Sequence, residues 1–396
     1  MSVAVVHRIT VRQLAIPLRV GVQHAASDRT VADPIIVEVE LTNGTCGFGE
    51  TLARPYVTGE TAESVMEAVR HVFAPALLGF HPESFPEALE AIDSLPRKDD
   101  GEKPIPAARA GIELAVLDAA MRHFGRTADD IVQWMGLAGF GSPGCIRQVR
   151  FSGVLASDDL SAVMRQLRLM YWGGLREFKL KVGTPGDLER TRRVAAYLSR
   201  PIAKDRATLR VDANGAWSVD QAAEWLAATS DLPIAAVEQP LPRGDELKLV
   251  ELRERFSVPF VHDESLITED DARRLIGLGV ADFFNIRIGK CGGFLPSLRI
   301  AALARRHHVR IQLGCMVGET SVLSAAGLRF IEVCPFVSWA EGCFGRFLLR
   351  GDIASKGLGF GYGGRPPRHD GAGWGVRVDA GRLEEFAAGE GLVIHL

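Results

Sequence analysis

From about Cys145 to Glu341 the sequence repeats one texture: a strand-like apolar run, a turn, then a helical stretch. The runs are IRQVRFSGV, REFKLKVG, TLRVDANGAW, IAAVEQPL, FVHDES, ADFFNIRIGK, VRIQLGCMVGE and SWAEGCFG. From the second onward their C-terminal ends fall at residues 181, 212, 238, 263, 287, 314 and 341, giving steps of 31, 26, 25, 24, 27 and 27 residues. A step this short and regular holds one strand and one helix, and eight such units close a (β/α)8 barrel. A doubly wound open sheet is the competing architecture, but its Gly-rich phosphate fingerprint after a first strand is missing.

The regions flanking the repeat differ from it. Between Ile9 and Gly49, period-2 runs such as IIVEVEL joined by turn residues suggest an antiparallel meander, and PAARAGIELAVLDAAMRHFG then reads as a helix ended by Gly125. The expected units are an α+β domain over 1–135, the barrel over 145–350, and a Gly- and Pro-rich segment over 351–396 that packs back on the first unit. The 396 residues, 47% hydrophobic and with a net charge of −3, suffice for a large core and carry no cationic field that would suit nucleic acid. The N-terminal stretch alternates like a strand and lacks the apolar core of a signal peptide, so a cytoplasmic protein without a membrane partner is expected. Six scattered cysteines without a CxxC pair favour neither a disulfide framework nor a zinc-thiolate site.

In FKLKVG (Phe178 to Gly183) side chains two apart share a face, so Lys179 and Lys181 point the same way. Two ammonium groups on one face raise each other's electrostatic cost, so at least one should lose its proton more readily than a free lysine. Lys181, nearer the barrel mouth, is assigned as the acid/base, and Lys179, one pleat deeper, is expected to tune it. An isolated KxK would suit a solvated edge strand instead, but this strand precedes three that end in acids. Those acids are Asp212 in RVDANG, Glu238 in VEQP and Asp263 in HDES. A barrel site lies at the C-terminal ends of the strands, where converging carboxylates repel unless a cation sits among them. An all-oxygen set suits Mg²⁺ first and Mn²⁺ next. A single Asp after a strand is more often a helix N-cap, a reading that three acids in register weaken. Asn214 and Glu264 are candidates for orienting the ligands or the lysine, or equally for turns and caps, and Gln239 and Pro240 read as structural.

The series KLKVG, DANGAW, VEQPL, DES and KCGG, in this order and spacing, resembles the enolase superfamily, in particular its muconate-lactonizing-enzyme and dipeptide-epimerase branch. The likeness covers nearly the whole chain, and GFGETLARPYVTGET is similar to that family's capping domain. The resemblance implies a capping α+β domain on a modified (β/α)7β barrel, with Asp212, Glu238 and Asp263 as Mg²⁺ ligands and Lys181 as acid/base. A Lys or His base working with Mg²⁺ on the carbon beside a carboxylate is the pairing known for that superfamily. It also implies a small-molecule carboxylate substrate and a homo-oligomer.

One position departs from the pattern. The sixth strand of that branch ends in a lysine, in a context like NIK, whereas this chain reads NIRIGK and places Arg287 there. Arginine keeps its proton, so racemisation by two opposed bases is in doubt and Arg287 is expected to hold a substrate carboxylate or the enediolate. The His–Asp dyad of the mandelate-racemase type would fall at Arg287 and Gly314; His307 and His308 are expected on the surface, and Lys290 as a structural or loop residue. Glu319 in MVGET and Glu341 in WAEG are candidate substrate contacts, Glu319 also a candidate to orient Arg287. In the cap, His24, Arg54, Tyr56 and Thr58 are candidates for touching the distal part of the substrate. The expected activity is an isomerase of the cycloisomerase or epimerase kind. The alternatives are a one-base syn-dehydratase of a hydroxy acid or sugar acid and a non-catalytic protein that keeps the metal.

Overall fold

The repeat folds as a ring of eight parallel strands. The computed structural model describes residues 4–24, 27–141, 149–368 and 370–396; the residues 146–148 of the first strand candidate and Cys145 lie outside them. The eight strands are β6 (Gly153–Leu155), β7 (Glu177–Lys181), β8 (Thr208–Asp212), β9 (Ala236–Glu238), β10 (Phe260–His262), β11 (Phe283–Ile286), β12 (Arg310–Leu313) and β13 (Val337–Ala340), hydrogen-bonded in sequence order. Their ends fall on, or one residue before, the positions expected from the spacing. A parallel bridge between Phe151 and Ala340, with Ser152 N donating to Ala340 O at 2.8 Å, returns the eighth strand to the start of the first. The sheet is thus curled into a barrel and is not the doubly wound alternative.

Seven helices fill the crossovers: α6 (Leu160–Trp172), α7 (Asp187–Ile202), α8 (Val219–Ala228), α9 (Leu249–Arg255), α10 (Glu269–Gly277), α11 (Phe294–Arg306) and α12 (Ser321–Val333). Directly after β13 a single turn, α13 (Gly345–Leu348), stands in place of an eighth crossover helix, which makes the barrel (β/α)7β. Oxygen side chains start several of these helices: Asp159 at α6, Ser218 at α8, Thr268 at α10 and Thr320 at α12 each accept from a backbone N–H of the first turn.

The first part of the chain forms β1 (Val6–Gln13), β2 (Ile16–His24), β3 (Ser27–Ala32), β4 (Ile35–Leu41) and β5 (Cys46–Thr51), then α1 (Ala62–Ala68), α2 (Ala74–Leu77), α3 (Phe85–Asp93), α4 (Pro106–Phe124) and α5 (Ala128–Trp134). The expected meander is not what forms. The sheet order is β14–β1–β4–β5, where β14 (Leu392–His395) follows α14 (Ala380–Glu385), and β2–β3 is a separate hairpin. Pro17 in β2 has no ladder donor, and β1 pairs instead with the apolar strand IIVEVEL. Helix α4 lies across this sheet, buried along nearly its whole length and ended by Gly125 in the left-handed region. It approaches β5 so closely that a Cβ on Gly49 would come 2.0 Å from Gly111 O.

Two buried carboxylates of this α+β part cap barrel helices. Glu50, on β5, accepts from Thr320 N and Leu323 N at the start of α12 at 2.7 and 2.8 Å, and Glu113, on α4, accepts from Phe294 N and Leu295 N of α11 at 2.8 Å each. Burial pushes Glu50 up to about 7 from 4.5, against the pull of the Thr320 and Leu323 donors. Because the folded chain then binds this proton more tightly than the unfolded one, the group's contribution to stability falls as pH rises from about 4.5 to about 7. In Glu50→Gln, denaturant unfolding across that window should lose one proton's worth of pH slope; an unchanged slope would assign the titration elsewhere. Glu50→Ala strands two buried N–H donors and should cost roughly 1–3 kcal/mol for each.

Candidate active site

Strand period 2 sends alternate side chains into the barrel. On β7, β8 and β9 the register pairs Lys181 with Asp212 and Asp212 with Glu238, so the base candidate and two acids form one row at the strand ends. Asp263 follows β10 directly, and Gln239 ties it to the row by accepting from Asp263 N at 3.1 Å. The three acids are fully buried.

Lys181 Nζ donates to Asp212 Oδ2 at 2.6 Å and to Asn214 Oδ1 at 2.7 Å. Asn214, held in the left-handed region with φ of 47°, donates its amide to Glu264 Oε1 at 3.2 Å. The amide thus spans from the lysine to Glu264, whose other oxygen is buried without a partner and whose carboxyl is pushed up by burial and by the nearby Asp212.

Lys179, expected to tune Lys181, shares Asp212 with it and lies deeper among the acids. Its Nζ lies 2.7 Å from Glu341, 3.2 Å from Glu238 and 3.3 Å from Asp212. Burial alone would lower its pKa, but those carboxylates outweigh it and hold the ammonium charged, so Lys179 neutralises acids and is not a strained neighbour of Lys181. The same charges act in reverse on Asp212: burial would raise its pKa, and Lys181 and Lys179 pull it below the usual carboxylate range.

Glu341 is engaged inside the barrel by Lys179 and, at 3.4 Å, by Arg210, although it also lines a narrow cleft beside Arg287, Cys315, Met316 and Glu319. Glu319 is buried, and its oxygens accept from Met316 N and Ser324 Oγ at 3.1 and 3.0 Å; these bonds, and not one to Arg287, hold it. Burial, with Glu50 adding repulsion, pushes its carboxyl up to about 8. Arg287 itself bonds Asp263.

In the cap, Arg54 is buried and spent on Asp33 at 2.8 Å and on Val317 O at 3.2 Å. Tyr56, in the same turn, is 41% exposed, and Thr58 N closes that turn on Arg54 O. The His24 side chain lies outside the described residues. His307 and His308 are exposed at the end of α11.

The sequence reading gave Lys290 as a structural or loop residue and did not single out Asn285, Gln312 and Arg210, all four of which bond the acids or their neighbours. Lys290, fully buried, donates to Asp263 Oδ1 at 2.8 Å and Asp263 O at 2.6 Å, and burial lowers its pKa to about 8. Asn285 and Gln312 donate to Glu238 at 2.8 and 3.1 Å, and Arg210 donates to Ser152 Oγ at 2.6 Å. The signal was the alternation itself: Arg210, Asn285 and Gln312 each stand two residues before a strand-end position already singled out.

Asp212, Glu238 and Asp263 offer only oxygen donors on neighbouring strand ends, a set that fits a hard divalent ion, and the unpartnered Glu264 oxygen adds negative potential beside them. As the side chains stand, ammonium and guanidinium groups fill those oxygens, and among the described residues no three His, Cys, Asp or Glu are grouped so as to hold a metal. Moving Lys181 and Arg287 away would open Asp212 Oδ2 and Asp263 Oδ2 on that side, whereas the oxygens of Glu238 are held by Lys179, Asn285 and Gln312.

Residues 162–382 match the family model described as enolase C-terminal domain-like, and residues 6–133 match that of the mandelate racemase / muconate lactonizing enzyme N-terminal domain. The N-succinyl-L-Arg/Lys racemase of Bacillus cereus is 29% identical over 83% of this chain and 84% of its own, and its crystal structure superposes with a TM-score of 0.85 over 100% of both chains. Muconate cycloisomerase 1-1 of Acinetobacter lwoffii is 28% identical over 91% of this chain and 90% of its own. The dipeptide epimerase of Cytophaga hutchinsonii, solved with Mg and the dipeptide D-Ala-L-Val, shares the fold at a TM-score of 0.82 and 21% identity over 99% of this chain and 100% of that one. With both family models matched in order around a (β/α)7β barrel and its α+β cap, the chain belongs to the mandelate racemase / muconate lactonizing enzyme family of the enolase superfamily, and it is an enzyme of that superfamily.

Proposed function

We propose that this enzyme is Mg²⁺-dependent and moves a proton at the carbon beside a substrate carboxylate, through an enediolate, with Lys181 as the acid/base. The observation that carries the reading is the contrast between the two lysines. Lys179 is 3% exposed and locked among acids, whereas Lys181, one pleat nearer the mouth, keeps 28% of its side chain exposed beside the strand-end carboxylates. Asp212, Glu238 and Asp263 would hold the Mg²⁺, or Mn²⁺ in its place, and the ion supplies the positive charge that acidifies the α-proton and stabilises the enediolate.

Asn214 orients the Lys181 amine, because its side-chain oxygen accepts from Nζ and its nitrogen is anchored on Glu264. Arg287 follows β11, four strands away from β7 in a ring of eight, and so stands across the barrel from Lys181. Its guanidinium offers a planar pair of donors to a carboxylate. Tyr56, exposed in the cap turn, is a candidate contact for the distal end of the substrate, as is His24.

The isomerase outcome, of the cycloisomerase or epimerase kind, is supported by relatives that are racemases, epimerases and cycloisomerases. A second reading, syn-elimination of water by one base, is favoured by Arg287, which cannot serve as the opposing base. A homo-oligomer acting on a small carboxylate in the cytoplasm completes the proposal.

Lys181→Ala should keep Mg²⁺ affinity, read by calorimetry, and lose α-proton exchange in D₂O by about 10²–10⁴-fold; exchange at the wild-type rate would move the base elsewhere. Asp212→Asn, Glu238→Gln and Asp263→Asn should each lose both Mg²⁺ binding and turnover, and wild-type affinity in all three would refute the ligand set. Proton NMR in D₂O with Mg²⁺ against dipeptides, N-acyl amino acids, muconates, hydroxyprolines and sugar acids separates the outcomes. Cyclisation or loss of water fits one base, whereas exchange with inversion requires a second base facing Lys181.

A further inference from the structure

Asp263, like Asp212, is paired with two cations. Lys290 Nζ takes its Oδ1 and its backbone carbonyl at 2.8 and 2.6 Å, while Arg287 takes Oδ2. The two cations are held very differently. Lys290 is fully buried and is fixed a third time by Asn285 O at 3.2 Å. Arg287 keeps 14% of its side chain exposed, lines the cleft, and among the described residues its other side-chain hydrogen-bond partner is the soft sulfur of Met316, 4.0 Å from Nη1. Its stem also has a track along β12, because residue 314 is glycine: a Cβ there would stand 3.0 Å from Arg287 Cγ and 2.2 Å from Asn285 Oδ1.

Resting on the reading of Asp263 as a ligand, we propose that Arg287 is a displaceable latch: it holds Asp263 while no divalent ion is bound, competes with that ion for Oδ2, and on leaving becomes the free anion receptor of the cleft. Lys290 is the permanent counter-charge of Asp263. A doubly charged ion beside a carboxylate that already bears two cations meets repulsion, which falls when the mobile one swings away. The released guanidinium then has unpaired donors in a part-enclosed cleft, the condition in which a planar fork seeks a carboxylate. Metal binding therefore prepares the substrate's anchor, and by linkage a bound carboxylate tightens the metal.

The test is Mn²⁺ binding to the full chain, read from the electron paramagnetic resonance signal of the free ion. Arg287→Met should bind Mn²⁺ about tenfold more tightly than wild type, and Arg287→Lys, which keeps the charge, should stay near wild type. Unchanged or weaker binding in Arg287→Met overturns the latch, as does Arg287→Lys binding as tightly as Arg287→Met. Asp263→Asn separates the two failures. If it binds Mn²⁺ like wild type, the ligand reading falls; if it loses Mn²⁺ while Arg287→Met is unchanged, only the latch falls. A measurement on wild type covers a variant that does not fold: phenylglyoxal labelling of Arg287, followed by peptide mass spectrometry, should rise severalfold when Mg²⁺ is added, and constant or reduced labelling overturns the proposal.

Discussion

The ammonium of Lys179 is the interaction on which the barrel interior depends. Asp212, Glu238 and Glu341 come from three strands and all lie within 3.3 Å of it. Desolvated carboxylates that close would take up protons without a cation among them, and the strand ends carrying them would be pushed apart. Arg210 extends the compensation toward Glu341 and Ser152, and Asn285 and Gln312 satisfy the remaining oxygens of Glu238. Removing one partner from such a set leaves an uncompensated buried charge, at a cost of about 3–5 kcal/mol, which is why the set behaves as one unit. Below it the barrel turns apolar at Ala236, Val261 and Phe283, with Trp339 stacked on Phe283. The polar layer is thus a single stratum beneath the mouth, and it aims Asp212 and Glu238 upward.

That stratum separates the two lysines of FKLKVG. The pleat turns both inward, and depth alone divides their roles: one sits within the charge network and the other at its edge. The cap acts on the opposite side of the mouth. Glu113 caps the helix that follows the Arg287 and Lys290 turn, and Glu50 caps the helix that follows Glu319. Arg54, between Asp33 and Val317 O, pins the β2–β3 hairpin to the same seventh loop. The loops carrying Arg287 and Glu319 are therefore positioned by the α+β part of the chain as much as by the barrel.

The barrel was legible because its signal is local and repeated: a strand and a helix every two dozen or so residues, with acids at the same point of three successive units. The partners of those acids were not, because a period of 2 tells which way a side chain points and not how deep it lies or what stands opposite. Lys179 meets Glu341 from a strand 162 residues away, and no sequence window spans that distance. Lys290 read as a loop residue because it follows its strand by four positions; the tight turn in which Lys290 N and Cys291 N both bond Arg287 O brings it back beneath Asp263. In the α+β part, the turns were legible but the pairing was not, since strand order in a sheet is decided by which apolar faces meet and not by succession along the chain.

Arg287 is where local pattern and chemistry diverge most. Under the proposed reading, Lys181 works from β7 and the residue after β11 faces it across the ring, the arrangement in which two titrating amines could exchange a proton on either face of an enediolate. Under the same reading, the contribution of a guanidinium at that place would be a field and a geometry, not a proton. On that proposed chemistry, a positive charge opposite the base would stabilise the enediolate without offering it a way to invert. It also favours substrates whose carboxylate or developing oxyanion can reach the cleft that Arg287 shares with Glu319 and Glu341. The same guanidinium bonds Asp263, so under the proposed reading anion binding and control of the neighbouring acid would fall to one residue.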